Sequence, residues 1–118
     1  MTGEMTELIE KYHVGNFVFF DQRNIRTLPQ LLSLVSAIKG KCLKTDNLPA
    51  FIAVDNEGGV NSQLLSVGTV FPGNLALAAG GDPLQAGLEG EAIAREIRSV
   101  GLTANFAPVL DLYDGGND

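Results

Sequence analysis

The sequence predicts an α/β fold built on a parallel sheet, from the order of its apolar segments and from the way those segments end. Three short apolar runs without polar alternation are separated by helical patterns, and each run is followed by an aspartate. Strands buried on both faces show such unbroken runs, and helical crossovers between them are typical of parallel sheets. We therefore expect strands that share one carboxyl end.

The first strand is predicted to follow an amphipathic helix. Apolar side chains recur at helical spacing near the start of the chain, which then turns into a short apolar run. The helix is indicated by Met5, Leu8, Ile9 and Tyr12, and the strand by Phe17, Val18, Phe19 and Phe20. The pattern predicts a helix followed by a buried strand.

The second predicted helix begins with a capping signature. Thr27 and Gln30 have the spacing of a capping box, and Pro29 falls in the first turn. Its apolar face is formed by Leu31, Leu32, Leu34, Val35 and Ile38. We expect this helix to end at Gly40, because a glycine often follows the last helical residue.

A polar linker over residues 41–48 is predicted to lead into the second strand. That strand is the unbroken apolar run of residues 49–54, which ends on Asp55. Residues 56–81 are rich in glycine and small polar residues, and only a short stretch within them favours a helical turn. Long irregular segments in compact domains are often functional.

The third strand is predicted to follow the clearest helix of the chain. Asp82 supplies an N-cap and Pro83 a first-turn proline, and Gly101 ends the helix. Its apolar stripe is predicted to comprise Leu84, Leu88, Ile93, Ile97 and Val100. Residues 104–110 read as the third strand, and residues 113–118 as a turn-like tail.

Three aspartates at strand ends are the first functional indication. Asp21, Asp55 and Asp111 each come directly after a predicted strand, so their side chains are expected on one rim of the sheet. Ligands bind at that rim in barrels and in open α/β sheets. Aspartate is also common in turns and as a helix cap, and we favour that structural interpretation for Asp21 and Asp111 taken alone.

Charge and composition narrow the possible partners. The net charge of -6 and the scattered basic residues argue against nucleic acid, and the absence of a long apolar run argues against a membrane span. A small neutral substrate fits better. His13 reads as a solvated residue at a helix end, and Cys42 has no second cysteine or histidine in a matching pattern. We expect no metal site and no cofactor.

The glycine pair at residues 80–81 does not predict a phosphate site. It precedes a helix, where a phosphate could bind the free backbone amides. Asp82 would place a negative charge where that anion would sit, so phosphate binding is disfavoured.

The location is expected to be cytoplasmic. Cys42 is the only cysteine, and the chain contains no Asn-x-Ser/Thr glycosylation site and no signal-peptide pattern at its start. Secretion stays open if a leader precedes these residues.

Asp55 has the chemistry of a sugar-binding residue. It begins the segment Asp-Asn-Glu-Gly-Gly, in which two acids precede a diglycine at the end of a buried strand. The glycines can adopt positive φ and let the backbone pass close to a ligand. A carboxylate held at a strand end can accept two sugar hydroxyl groups in a charge-assisted, bidentate way.

Five segments occur along the chain in the order KYHVGNFVFFDQRNI, FIAVDNEGGV, TVFPGNLALAAGGDP, AIAREIRSVGL and NFAPVLDL. In this order they resemble the N-terminal barrel domain of family 3 glycoside hydrolases, in particular the β-N-acetylhexosaminidase branch. The resemblance implies that the chain supplies the first three β/α units of a TIM-like (β/α)8 barrel, incomplete here, with residues 1–118 as the N-terminal part of one barrel domain. It also implies retaining hydrolysis of a terminal β-linked sugar.

The resemblance assigns one binding residue and no catalytic residue. It makes Asp55 a hydrogen-bonding partner of sugar hydroxyls in the −1 subsite, and it gives Glu57 and the glycines a role in shaping the loop. The acid/base loop and the nucleophile of the family follow the equivalent of Asp111, and nothing here matches them. Asp55 and Glu57 are not favoured as an independent catalytic pair, since their spacing does not fix their separation.

One departure from the family pattern puts the sugar specificity in doubt. Many relatives continue the diglycine with Arg-Val-x-Arg, whereas residues 60–63 are Val-Asn-Ser-Gln, so a substrate-contacting arginine expected near Gln63 is missing. A Val-Asn-Ser version resembles one sub-branch of the family. The loss is therefore compatible with an active enzyme.

Three hypotheses follow from the sequence. The first is a parent β-N-acetylglucosaminidase, with the present chain inactive alone. The second is a β-glucosidase or xylosidase of the same family. The third is a short product that binds sugar without catalysis, or that pairs with another chain to complete a barrel. The sequence leaves the oligomeric state open.

Overall fold

A computed structural model describes residues 1–112, which contain four helices and a three-stranded sheet. The helices are α1 (Gly3–Tyr12), α2 (Leu28–Asp46), α3 (Asn74–Gly80) and α4 (Pro83–Ser99), and the strands are β1 (Asn16–Phe19), β2 (Phe51–Val54) and β3 (Ala104–Asn105). The strand order is β1-β2-β3, and both pairings are parallel. The predicted α/β class is confirmed. The predicted tail at residues 113–118 lies outside the described residues.

The helix starts agree with the capping predictions. The Thr27 hydroxyl accepts a hydrogen bond from the Gln30 backbone N–H at 3.3 Å. The Gln30 side chain accepts from the backbone N–H of Arg26, one residue earlier than an ordinary capping box would place it. Asp82 caps α4 by accepting from the Leu84 N–H at 3.0 Å. These contacts satisfy backbone donors that have no partner within the helix.

The polar linker predicted over residues 41–48 is wrong in most of its length. α2 continues past Gly40 to Asp46 and ends at Asn47, which has a left-handed φ of 56°. Cys42 explains the extension, since its side chain is 2% exposed and packs in the core. A glycine inside a helix lowers its stability by roughly 0.5–1 kcal/mol relative to alanine, which burial of one apolar side chain can offset.

The third strand is shorter than predicted. β3 ends at Asn105, although the Phe106 N–H still donates to the carbonyl of Val54 at 2.9 Å. Pro108 has no N–H with which to continue the ladder. Asp111 is therefore not at a strand end, and it is exposed in an irregular segment.

The apolar stripe predicted for α4 is correct only in its C-terminal half. Ile93, Ile97 and Val100 are buried, whereas Leu84 and Leu88 are exposed. Glu89 lies four residues before Ile93, on the same side of the helix, and is buried in the place of Leu88. The inward face of α4 therefore begins with a carboxyl group.

The helices cover one face of the sheet. On that face, side chains of the strands and helices form a single core, and its largest fully buried apolar members are Ile9, Phe19, Ile25, Leu31, Ile38, Ile52 and Val54. The opposite face is open, and it exposes Val18, Phe51 and Phe106. Among residues 1–112, no helix combines the length and apolar character needed to cross a lipid bilayer.

Candidate functional site

Asp55 follows the last residue of β2 and continues the open face of the sheet. Side chains alternate between the two faces of a strand, so Asp55 shares a face with Phe51 and Ala53, while Val54 points toward the helices. The Asp55 side chain is half-buried. Within residues 1–112, no side chain or backbone amide donates to its carboxylate. That carboxylate is therefore free to accept hydrogen bonds from a ligand.

The backbone around Asp55 is held by the loop that follows it. The Asp55 carbonyl accepts from the Gln63 N–H at 3.0 Å, and the Glu57 N–H donates to the Asn61 carbonyl at 3.1 Å. These two hydrogen bonds close a tight loop that begins at Asp55 and ends at Gln63. The loop holds Asp55 in place through the Asp55 backbone, while the Asp55 side chain makes no hydrogen bond within residues 1–112.

Gly58, the first residue of the diglycine, lies where no side chain fits. Gly58 has a φ of 82°, and a Cβ atom placed there would lie 2.2 Å from the Pro72 carbonyl oxygen. The Gly59 N–H donates to the carbonyl of Phe71 at 2.8 Å. The diglycine therefore lets the loop pack against the segment before α3, which agrees with the loop-shaping role expected from the sequence.

Asn105 joins the ends of β2 and β3. Its side-chain oxygen accepts from the Asn56 N–H at 2.8 Å, and its side-chain nitrogen donates to the Asn56 carbonyl at 2.9 Å. The amide imitates a backbone pair and extends the ladder by one residue. Sequence reasoning missed this role, because Asn105 sits inside an apolar run; a single polar residue on the helix side of a strand was the available indication.

The Asp21 carboxylate forms hydrogen bonds within the protein. Its carboxylate accepts from the Ser66 hydroxyl at 2.6 Å and from the Gln22 N–H at 2.9 Å, and its own N–H donates to the Gln63 side-chain oxygen at 2.9 Å. The structural interpretation favoured for Asp21 agrees with these contacts. Of the three aspartates expected on one rim, Asp55 is the one at a strand end whose carboxylate accepts no hydrogen bond within residues 1–112.

Gln63 stands at the position where many relatives were expected to carry an arginine. Its side-chain oxygen is used by the Asp21 N–H, so the residue ties the end of β1 to the loop after β2. The side chain is half-buried. In this chain the position therefore has a structural contact and carries no positive charge beside Asp55.

His13 and Cys42 have local roles. His13 is the exposed C-cap of α1, as the sequence predicted, and its Nδ1 lies 2.6 Å from the Asp46 carboxylate. Burial, followed by the negative charge of Asp46, raises the pKa of the Cys42 thiol. A raised pKa disfavours the thiolate form that a nucleophile needs.

Two further acids lie on the helix side of the sheet. Glu57 and Glu89 line one pocket together with Asn56, and Asp55 does not contribute to it. Burial raises the pKa of the Glu89 carboxyl. Sequence reasoning missed Glu89, although its spacing of four residues from Ile93 placed it on the buried face. In the part of the chain that the structure describes, no group of three or more His, Cys, Asp or Glu side chains could hold a metal ion.

Comparison with known families and proteins gives a consistent result. The family model described as "Glycosyl hydrolase family 3 N terminal domain" matches residues 1–118. A protein named "Beta-hexosaminidase A" from Pseudoalteromonas piscicida is 33% identical over 121 residues, which cover 98% of this chain and 20% of that protein. A "Beta-hexosaminidase" from Neisseria meningitidis is 35% identical over 124 residues, which cover 99% of this chain and 33% of that protein.

Solved structures resemble this fold closely. A family 3 β-N-acetylglucosaminidase from Paenibacillus sp. superposes with a TM-score of 0.88 at 36% identity, covering 94% of this chain and 21% of that one. A fungal multi-domain family 3 β-N-acetylglucosaminidase superposes with a TM-score of 0.89 at 37% identity, covering 95% of this chain and 13% of that one. The chain thus spans a fifth to a third of the length of the curated relatives described here.

Proposed function

Because the chain belongs to the family of glycosyl hydrolase family 3 N-terminal domains, we propose that it forms the N-terminal part of one (β/α)-barrel domain in a sugar hydrolase. Three parallel strands in chain order, with helices on one face only, support the first three β/α units of a barrel. The apolar side chains on the open face are what a barrel interior would bury. A closed barrel needs about 250 residues, more than are present.

The proposed activity is hydrolysis of β-linked N-acetylglucosamine from the end of a sugar chain. Its support is the names of the relatives, which are β-hexosaminidases and β-N-acetylglucosaminidases at 33–37% identity. β-Glucoside or β-xyloside hydrolysis is the second candidate, because the arginine expected near Gln63 is replaced by a neutral side chain.

Asp55 is the residue of this chain that we propose binds the sugar. Its carboxylate is free of partners within residues 1–112, while its backbone is fixed by the hydrogen bond from Gln63. A preorganised carboxylate can accept two sugar hydroxyls in charge-assisted hydrogen bonds. The catalytic acid/base and nucleophile are proposed to lie outside this chain, so the chain alone binds part of the sugar and performs no hydrolysis.

The test compares the 118-residue chain with the product of the full open reading frame that contains it. We expect the full product to hydrolyse a chromogenic β-N-acetylglucosaminide in preference to the matching glucoside and xyloside, and the 118-residue chain to give only background. In the full product, Asp55→Ala should lower kcat/KM at least about a hundredfold, the effect of losing a bidentate charged contact.

Three outcomes would contradict parts of the proposal. Turnover by the 118-residue chain that Asp55→Ala abolishes would show that the catalytic residues lie within it. Faster hydrolysis of the glucoside or xyloside would contradict the assignment of N-acetylglucosamine as the substrate sugar. A stop codon directly after Asp118 would favour the short non-catalytic product, which binds sugar or completes a barrel with another chain.

A further inference from the structure

A pocket of about 200 Å³ lies on the helix side of the sheet, between α4 and the ends of β2 and β3. Its lining includes Asn56, Glu57 and Glu89, and Asp55 is not part of it. Asp55 follows the open face of β2, whereas Asn56 follows the covered face. The Glu89 pocket, as we call it, is therefore separate from the proposed sugar site.

Glu89 brings an unpartnered carboxyl group into this pocket. Its side chain is 9% exposed, and none of the hydrogen bonds or ion pairs among residues 1–112 involves it. A Cβ atom at Gly58 would lie 2.7 Å from its Oε1, so the carboxyl sits directly beneath the diglycine loop. No fully buried side-chain oxygen lacks a partner among residues 1–112, so the unbonded Glu89 oxygens are still reached by solvent, and a bound cationic group can displace that solvent and pair with the carboxylate.

Asn56 brings an unpartnered donor into the same pocket. Its side-chain oxygen accepts from the Leu64 N–H at 3.3 Å, which leaves the side-chain nitrogen without a partner among residues 1–112. The residue as a whole is 1% exposed, and because no fully buried side-chain nitrogen lacks a partner among residues 1–112, this nitrogen keeps some contact with solvent. The pocket thus offers an acceptor at Glu89 and a donor at Asn56 to the same ligand.

The walls decide which kind of ligand fits. Two acids, Glu57 and Glu89, line the pocket, and no lysine, arginine or histidine does so among the described residues. This charge balance favours a cation. The remaining wall is mostly carbon, with Leu77, Ile93 and Pro108 among its members, which suits a carbon skeleton and not a hydrated metal ion.

We propose that the Glu89 pocket binds a small amino alcohol, with its ammonium group on Glu89, its hydroxyl oxygen on Asn56 and its carbon stem against Ile93. The ammonium and the hydroxyl would each pair with a polar group that has no partner within residues 1–112, and the carbon stem would contact the apolar wall. Glu57, which is half-buried and also lines the pocket, adds a second negative charge that attracts the ammonium.

The test uses NMR titration of the full 118-residue chain with propanolamine. We expect shifts at the backbone amides of the pocket residues, and weaker binding of propanediol, which lacks the charge, by at least about tenfold. Propylammonium, which lacks the hydroxyl, should also bind more weakly than propanolamine. Glu89→Gln should weaken propanolamine at least about tenfold, because it removes the charge and keeps the shape.

The matched control is Glu91→Gln, two residues further along α4, where the side chain is exposed and pairs with Arg95. Its affinity for propanolamine should equal that of the unchanged chain. Equal binding of propanolamine and propanediol by the unchanged chain would overturn the proposal without any variant. An equal loss of propanolamine affinity in Glu89→Gln and Glu91→Gln would also overturn it. NMR shifts confined to residues on the open face of the sheet would do the same. Circular dichroism of each variant confirms that it folds.

Discussion

The backbone N–H of Asp21 donates a hydrogen bond to the side-chain oxygen of Gln63 across 2.9 Å. The same Gln63 uses its own N–H to bond the carbonyl of Asp55 at 3.0 Å. One residue in the loop after β2 therefore links the end of β1 to the backbone of the proposed sugar-binding residue. An arginine at this position would have no acceptor to offer the Asp21 N–H.

Replacing Gln63 by methionine is expected to lower the free energy of unfolding by about 1–2 kcal/mol. The change keeps the length of the side chain and removes the acceptor, so the Asp21 N–H loses its partner in a half-buried setting. Denaturant unfolding followed by circular dichroism measures the effect. Gln85→Met on the exposed face of α4 is the control and should stay within about 0.5 kcal/mol of the unchanged chain. Equal stability of the two variants would mean that the Gln63 contact contributes nothing.

Gly58→Ala is expected to be the most damaging single-methyl change in the diglycine loop. The added Cβ would lie 2.2 Å from the Pro72 carbonyl oxygen, and the φ of 82° is strained for any side chain. The left-handed strain alone costs about 1–2 kcal/mol, and the clash with backbone adds to it. We expect a loss of more than about 3 kcal/mol, measured by denaturant unfolding.

Gly81→Ala measures the cost of a positive φ without a steric clash, and so separates the two effects that are combined in Gly58→Ala. Gly81 ends α3 with a φ of 69°, yet a Cβ there would meet no atom within 4 Å. This variant should therefore show only the conformational cost of about 1–2 kcal/mol. If both alanine variants lose the same stability, the close approach of the loop to Pro72 is not what requires glycine at position 58.

The carboxylate of Glu96 anchors the long segment between β2 and α3. Both of its oxygens accept from the Thr69 N–H, at 3.3 and 3.1 Å, and it also accepts from the Thr69 hydroxyl. We expect Glu96→Ala to lower the free energy of unfolding by about 1.5–3 kcal/mol, the range for hydrogen bonds to a charged group. The Thr69 amide should exchange its hydrogen faster, as measured by NMR.

Glu91→Ala is the matched control for this change, since Glu91 lies on the same helix and forms an exposed pair with Arg95. Its loss should be about 0.3–0.5 kcal/mol, and Thr69 exchange should not change. Unaltered Thr69 exchange in Glu96→Ala would contradict the anchoring role.

The parts of the fold that were predicted correctly are those set by local sequence. The caps at Thr27 and Asp82 lie within three residues of the amides they bind, and the strand ending at Val54 is a continuous apolar run. The position of Asp55 at the end of β2 follows from that run alone. For this reason the candidate binding residue could be placed from the sequence.

The parts that were missed depend on contacts between distant residues. Asn105 bonds the backbone of Asn56, 49 positions away. Its polarity within an apolar run makes it unusual, but no local pattern identifies its partner. α2 passes Gly40 because Cys42 packs into a core assembled from the whole chain. Glu89 has the helical spacing of the buried face of α4, but the pocket that accommodates its carboxyl is formed with the distant loop after β2, which the sequence of the helix does not indicate.

Glu89 should make the stability of the chain depend on pH in a defined direction. Burial raises the pKa of its carboxyl above the ordinary value, so the folded state holds the proton more tightly than the unfolded state does. The stability linked to this proton is fully present below the pKa of the unfolded state, about 4.3, and is lost as the pH rises through the raised pKa.

Glu89→Gln removes that dependence, because glutamine does not titrate. The unfolding free energy of the variant minus that of the unchanged chain should therefore increase as the pH rises from about 4.3, the ordinary glutamate pKa, through the raised pKa of Glu89. Urea unfolding at several pH values measures the difference, and most other titrating groups cancel between the two proteins. A flat difference, like the one expected for the exposed Glu91→Gln, would mean that Glu89 is solvated like an ordinary surface acid.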